Sequence, residues 1–309
     1  MKIIFMGTPE FASGVLNDII EANIEVVAAV TVADKPAGRG RKLKESAVKQ
    51  TALNNNIPVL QPTNLKSEDF LERLRSYKAD LFVVVAFRML PKVVWAMPRL
   101  GTFNLHASLL PKYRGAAPIN WAIINGETIT GVSTFLIDEK IDTGAILYQN
   151  EIQILPEDNL EALHDKMMLE GGKLVVETIK ALAKGTISPS KQPETDPSPA
   201  PKLNTENTRI DWNKNAFDIN NLVRGLDPYP GAWTTLNELN VKIHKTKVPT
   251  EEIPIKGANG SISTTKKQLF VKCGSGTIEV LSLKIQGKKL MDTKSLLNGF
   301  SFEVEDTFI

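Results

Sequence analysis

Residues Asn104–Pro118 read NLHASLLPKYRGAAP, and they combine residue types that a plain loop has no need to combine. In an extended segment the period of two puts Asn104 and His106 on one face. Asn104 brings an amide donor, and His106 a group that titrates near neutral pH. Ser108-Leu109-Leu110-Pro111 then leaves the strand with apolar side chains, and Lys112, Arg114 and Gly115 put positive charge on a flexible exit. A lone histidine near a strand end is ordinarily a satisfied structural residue. The chain has three histidines. The other two, His164 in a helical pattern and His244 in a Lys-rich alternating run, have neither an Asn nor a turn beside them.

Working outward, Asp80–Ala86 (DLFVVVA) is a continuous apolar run, which fits a strand covered on both faces. The chain leaves it through Phe87-Arg88-Met89-Leu90. Ligands of open α/β sheets collect at the carboxyl ends of strands, so Phe87, Met89 and Leu90 are candidate walls of an apolar pocket; core packing accounts for them equally well. Downstream, Gly131–Ile137 alternates as a strand, Asp138–Gly144 is a turn, and Ala145–Tyr148 returns as a strand. Asp142 is ordinary in a turn. Its Asp-Thr-Gly also occurs at aspartic protease sites, but that chemistry needs two facing carboxylates and the chain has no second copy. Upstream, Lys2–Met6, a helical pattern from Pro9 to Ile20 and the β-branched run Ile24–Val32 read as a right-handed βαβ unit with a parallel sheet. Neither GxGxxG nor a P-loop is present. Helices are expected over Glu45–Asn55, from Ser67 as N-cap, over Ile119–Ile124 and over Asn159–Lys184.

Asn104, His106, the run SLLPKYRG and an Asp thirty-six residues after the histidine resemble the signature of the folate-dependent formyltransferases. The resemblance runs over essentially the whole chain. It implies a catalytic set of Asn104, His106 and Asp142, with 10-formyltetrahydrofolate as co-substrate, an amine as formyl acceptor and no metal. It also implies a Rossmann-like parallel-sheet domain followed by a small OB-like β-barrel. Ser108, Leu109, Leu110 and Pro111, with Phe87, Met89 and Leu90, would then line the folate pocket. One departure stands out: AFRMLP is shorter than the segment of many relatives, which carry a Tyr-Gly pair and one more residue before Leu-Pro. That bears on the shape of one side of the pocket.

Residues 34–44 (DKPAGRGRKLK) carry five basic residues against one acid, and Pro36, Gly38 and Gly40 forbid a regular helix or central strand there. Alone, such a cluster is a solvated loop. It resembles the PAGRG insertion of the tRNA-acting branch of the family, whose acceptor is initiator methionyl-tRNA. On that likeness Arg39, with Arg41 and Lys42, would contact the tRNA backbone from a mobile loop, positioning it without reading sequence. The domains expected are 1–187 catalytic, a Pro-rich linker at 188–204, and 205–309 as a β-barrel that supports the tRNA. That last part holds 14 basic and 12 acidic residues, its lysines spread over short alternating strands.

At 309 residues two domains are expected, and a formal charge of +2 excludes inferring nucleic-acid binding from net charge alone. The single Cys273 excludes an intramolecular disulfide and multi-cysteine zinc sites, and fits a reducing compartment. No run approaches the roughly 18 apolar residues of a membrane span. A cytoplasmic monomer is expected. The rival readings are a formyltransferase acting on a nucleotide or amino-sugar nucleotide, a formyl-folate hydrolase, and a tRNA-binding module with a degenerate site. The basic loop and basic barrel argue against a nucleotide-sized acceptor, and the intact Asn-His-Asp set argues against the binding module.

Overall fold

The computed structural model describes residues 1–37, 42–251, 253–303 and 305–309. It contains two compact units that interleave along the chain. The first comprises Met1–Gly115, Ile129–Gln153 and His164–Pro199; the second comprises Ala116–Thr128, Ile154–Leu163 and Ala200–Ile309.

In chain order the elements up to the site are β1 (Lys2–Gly7), α1 (Glu10–Glu21), β2 (Glu25–Val30), β3 (Lys35–Ala37), β4 (Lys42–Lys44), α2 (Ala47–Asn54), β5 (Val59–Leu60), α3 (Glu68–Ser76), β6 (Leu81–Val85), α4 (Lys92–Trp95), β7 (Thr102–His106) and β8 (Arg114–Gly115). They continue with α5 (Pro118–Ile124), β9 (Ile129–Leu136), β10 (Ile146–Gln153), α6 (Leu160–Lys184) and β11 (Pro199–Ala200). The main sheet runs β10-β9-β7-β6-β1-β2-β5. From β7 to β5 the neighbours are parallel, while β9 and β10 extend the sheet antiparallel. Every residue of β6 is buried, as its unbroken apolar run requires. On one face Ile4, Met6, Val30, Phe82 and Val84 pack with Phe70, Leu71 and Leu74 of α3. The other face is covered by α1 and α6: Leu105 lies against Gly171, and Gly14 of α1 against Met168. Each such large apolar side chain contributes about 1.5–3 kcal/mol on full burial.

Three local expectations change. Strand β9 does not alternate but is buried along its middle, because β7 and β10 flank it. Ser67 stands at the N-cap of α3 without capping it; its hydroxyl donates to the Asn64 carbonyl instead (3.1 Å). Residues around the basic loop are not wholly irregular, since β3 and β4 pair as a two-stranded ribbon. Pro36 is tolerated there because the ribbon has no interior strand.

The second unit holds α7 (Ala216–Leu226), β12 (Ala232–Leu236), β13 (Leu239–Lys247), β14 (Ile262–Thr264), β15 (Leu269–Lys272), β16 (Thr277–Ile285), β17 (Met291–Asp292) and α8 (Thr293–Leu297). Asn215 caps α7 by accepting from the Asp218 N–H at 2.9 Å. The sheet is antiparallel in the order β12-β13-β16-β15-β14, with β17 on β16. Residues 307–309 join its two edges. Ile309 exchanges both backbone hydrogen bonds with Thr235 of β12 (3.0 Å each), and the Phe308 N–H donates to Gly260 just before β14 (3.0 Å). Phe308 is buried and stacks on Trp212 at 5.6 Å. Although α5 precedes β9 in sequence, it packs on α7: Asn120 donates to the Gly225 carbonyl at 2.8 Å, and Gly225 allows that approach because a Cβ there would meet Ile124 at 2.7 Å.

Candidate active site

Strands β6 and β7 are parallel neighbours, so their exits, 86–91 and 107–113, open at the same edge of the sheet. Asn104 and His106 share the face of β7 opposite Leu105, which points at α6. Nε2 of His106 lies 2.8 Å from the Tyr113 carbonyl oxygen. A carbonyl only accepts, so Nε2 carries a proton and the neutral ring leaves Nδ1 bare. That nitrogen faces Oδ2 of Asp142 at 3.8 Å, with both side chains largely buried. The same carboxylate oxygen accepts the Gly115 N–H at 2.9 Å. Among the described residues the Asn104 amide has no hydrogen-bond partner, and it is partly exposed.

The exit loop after β7 is held from inside. Ser133 donates to the Ser108 carbonyl (2.6 Å) and accepts from the Leu110 N–H (3.1 Å), while Gln149 donates to the Leu110 carbonyl (3.0 Å). Ser108 itself is buried and donates to Lys112 O at 2.6 Å. Leu110 packs with Phe135 and Ile146, and Leu109 lies over Gly131, where a Cβ would meet it at 2.6 Å. Leu90 is a core residue and Phe87 packs against the same cluster, whereas Met89 is exposed. The structure therefore brings Asn104, His106 and Asp142 into one place. It puts Ser108–Pro111 and Phe87–Leu90 on adjacent strand exits. Arg39 and Arg41 lie outside the described residues; Lys42 begins β4.

Two groups at the site carry no sequence signal. One is the Tyr113 carbonyl, because a backbone acceptor is invisible in a residue name. Tyr113 takes a left-handed backbone (φ 58°), with its N–H bonded to Ser198 at 2.9 Å. The other is Gln192, inside the proline-rich stretch. It is buried and donates to the carbonyls of Asp142 (2.9 Å) and Gly144 (2.8 Å) while accepting from Arg114.

A mostly parallel α/β sheet thus carries, at one strand exit, a side-chain amide with no partner among the described residues and a His–Asp pair. The formyl transferase family model matches residues 1–179, and the model of the formyl transferase C-terminal domain matches 202–301; the chain belongs to this family. Among its relatives, methionyl-tRNA formyltransferase of Flavobacterium johnsoniae is 54% identical, the match covering 99% of this chain and 98% of that protein. The enzyme of the same name from Bacteroides thetaiotaomicron is 48% identical over 97% of this chain and 96% of its own. Among solved structures, the sugar 3N-formyl transferase WlaRD, crystallised in the presence of dTDP and 5-N-formyl-THF, superimposes with a TM-score of 0.69 at 21% identity. That superposition covers 94% of this chain and 99% of that one, and it shows the fold alone.

Proposed function

We propose that this chain transfers the formyl group of 10-formyltetrahydrofolate to the α-amino group of methionine on initiator methionyl-tRNA, as a cytoplasmic monomer. The observation that carries the chemistry is the unengaged Asn104 amide beside a histidine whose Nε2 is committed to a carbonyl. The acceptor amine is itself the nucleophile: its nitrogen bonds to the formyl carbon, the carbon–N10 bond breaks, the amine loses a proton and N10 gains one. Asn104 donates to the oxygen that becomes negative on the way. His106 handles the proton through Nδ1, the one ring atom free to do so. Asp142 faces that atom and holds the ring in orientation. The apolar Leu109 and Leu110 with Phe87 and Met89 are assigned to the pterin side of the site. Arg39, Arg41 and Lys42 are assigned to the tRNA backbone, and 205–309 to its support.

The acceptor is tested by offering formyl-folate with charged initiator tRNA, with an amino-sugar nucleotide, with glycinamide ribonucleotide and with water alone. Formyl-methionyl-tRNA as the main product is the expected outcome. Formate release without acceptor, or faster formylation of a nucleotide, overturns it.

A further inference from the structure

We infer that Gln192 is a positioning residue for Asp142, so the proline-rich stretch forms part of the active site. This inference rests on the role proposed above for Asp142. Three observations converge. First, Asp142 sits in the left-handed region (φ 54°), uncommon for a non-glycine residue although Asp tolerates it better than most, so the turn has a defined conformation to keep. Second, the side-chain amide of Gln192 holds that turn. One NH2 group donates to the carbonyls on either side of Thr143, at 2.9 Å to Asp142 and 2.8 Å to Gly144. Its oxygen accepts from Arg114 Nε at 3.1 Å and Nη2 at 2.5 Å. Arg114 precedes Gly115, whose N–H holds the Asp142 carboxylate from the other side. One buried amide therefore ties together the turn that carries the carboxylate and the strand that grips it.

Third, Gln192 is itself located by unit-one backbone. Ser190 and Ile146 exchange backbone hydrogen bonds (2.8 and 2.9 Å), and Arg114 N–H donates to Ser198 O at 3.0 Å. Gln192 is 5% exposed, so its bonds are largely shielded from bulk water. Losing them leaves two carbonyls unpaired and lets the turn relax away from His106. The 3.8 Å separation of Nδ1 and Oδ2 leaves no spare reach for such a drift.

The test compares Gln192→Met, Gln192→Ala and Asp142→Asn, singly and combined, in the full chain. Gln192→Met keeps the volume and removes the hydrogen bonds. It is expected to lower kcat roughly ten- to a hundredfold, the scale of an ångström misplacement, with KM for formyl-folate and tRNA unchanged. Combined with Asp142→Asn, it is expected to add little further loss, because both changes remove one function. A Gln192→Met enzyme with wild-type kcat overturns the inference. So does a loss that multiplies fully with that of Asp142→Asn, or one that appears in both KM values. If Asp142→Asn alone leaves kcat intact, the fault lies with the proposed role of Asp142 instead.

Discussion

Asn104 and His106 stand in different settings: among the described residues the Asn104 side chain makes no hydrogen bond, whereas the buried His106 bonds the Tyr113 carbonyl, faces Asp142 and meets Phe135 edge-on with ring centroids 6.5 Å apart. If Asn104 donates to the developing oxyanion as proposed, Asn104→Ala is expected to cost about 2.7–4 kcal/mol of barrier, or roughly 10²–10³ in kcat. His106→Ala is expected to cost about 10²–10⁴. Both variants should still bind tRNA with wild-type affinity, since neither residue faces phosphate in the proposed reading. Single-turnover formylation beside filter-binding of tRNA checks this pair of outcomes, and near-normal transfer in either variant removes the assignment. Asp142→Asn keeps the shape and the Gly115 contact but loses the charge. A rate drop with an unchanged unfolding midpoint is expected, and an unaltered rate would leave Asp142 as a turn residue only.

At the scale of elements, the turn after β9 is tight for a stated reason. A Cβ on Gly144 would lie 1.6 Å from the Leu136 carbonyl oxygen, which is backbone and cannot swing aside. Gly144→Ala is therefore expected to destabilise the fold by about 1–3 kcal/mol, read by urea unfolding, and to lower kcat by displacing Asp142. The ribbon β3–β4 is rooted firmly: Asp34 accepts from Lys49 and from Gln61 (2.7 Å), and Thr31 pairs with Ser46 at 2.8 Å. Those bonds, Lys49 first, hold the Asp34 carboxyl below the usual carboxylate range. If Arg39 contacts phosphate, Arg39→Ala should raise KM for tRNA, spare KM for folate and reduce the salt slope of binding by about one. Superimposable salt titrations would leave the basic segment without a role. The unbroken apolar run of β6 and the apolar stripe of α6 made those elements legible, because burial on both faces or on one stripe writes itself into residue type. The proposed set of Asn104, His106 and Asp142 was legible only through the family resemblance, because Asp142 alone reads as an ordinary turn residue. Gln192 was not: five prolines and no apolar period look like a spacer, and a buried amide that bonds backbone leaves no pattern. The antiparallel addition of β9 and β10 also escaped, since strand direction depends on partners distant in sequence.

For the whole molecule, the second unit is sealed by residues 307–309, and its core holds the chain's single cysteine. Burial pushes the Cys273 thiol up to about 12, so almost no thiolate exists at neutral pH in the folded state. A thiol reagent should thus report the opening of this unit. Phe308→Ala removes a buried ring stacked on Trp212, which costs about 3–5 kcal/mol. Cys273 labelling is expected to accelerate strongly in that variant; labelling at the wild-type rate would show that the seam does not hold the sheet.

The docking of α5 on α7 has a consequence in time. A ribosome adding about 5–20 residues per second finishes α5 several seconds before α7 exists. Ile123, fully buried in the finished protein, and Ile124 both lie at Gly225 of α7 and have no α7 to shelter against during that interval. The nascent chain thus carries a wet apolar helix face until its later half arrives, and the order of synthesis, rather than the final energy, decides how long that face stays open to a wrong partner.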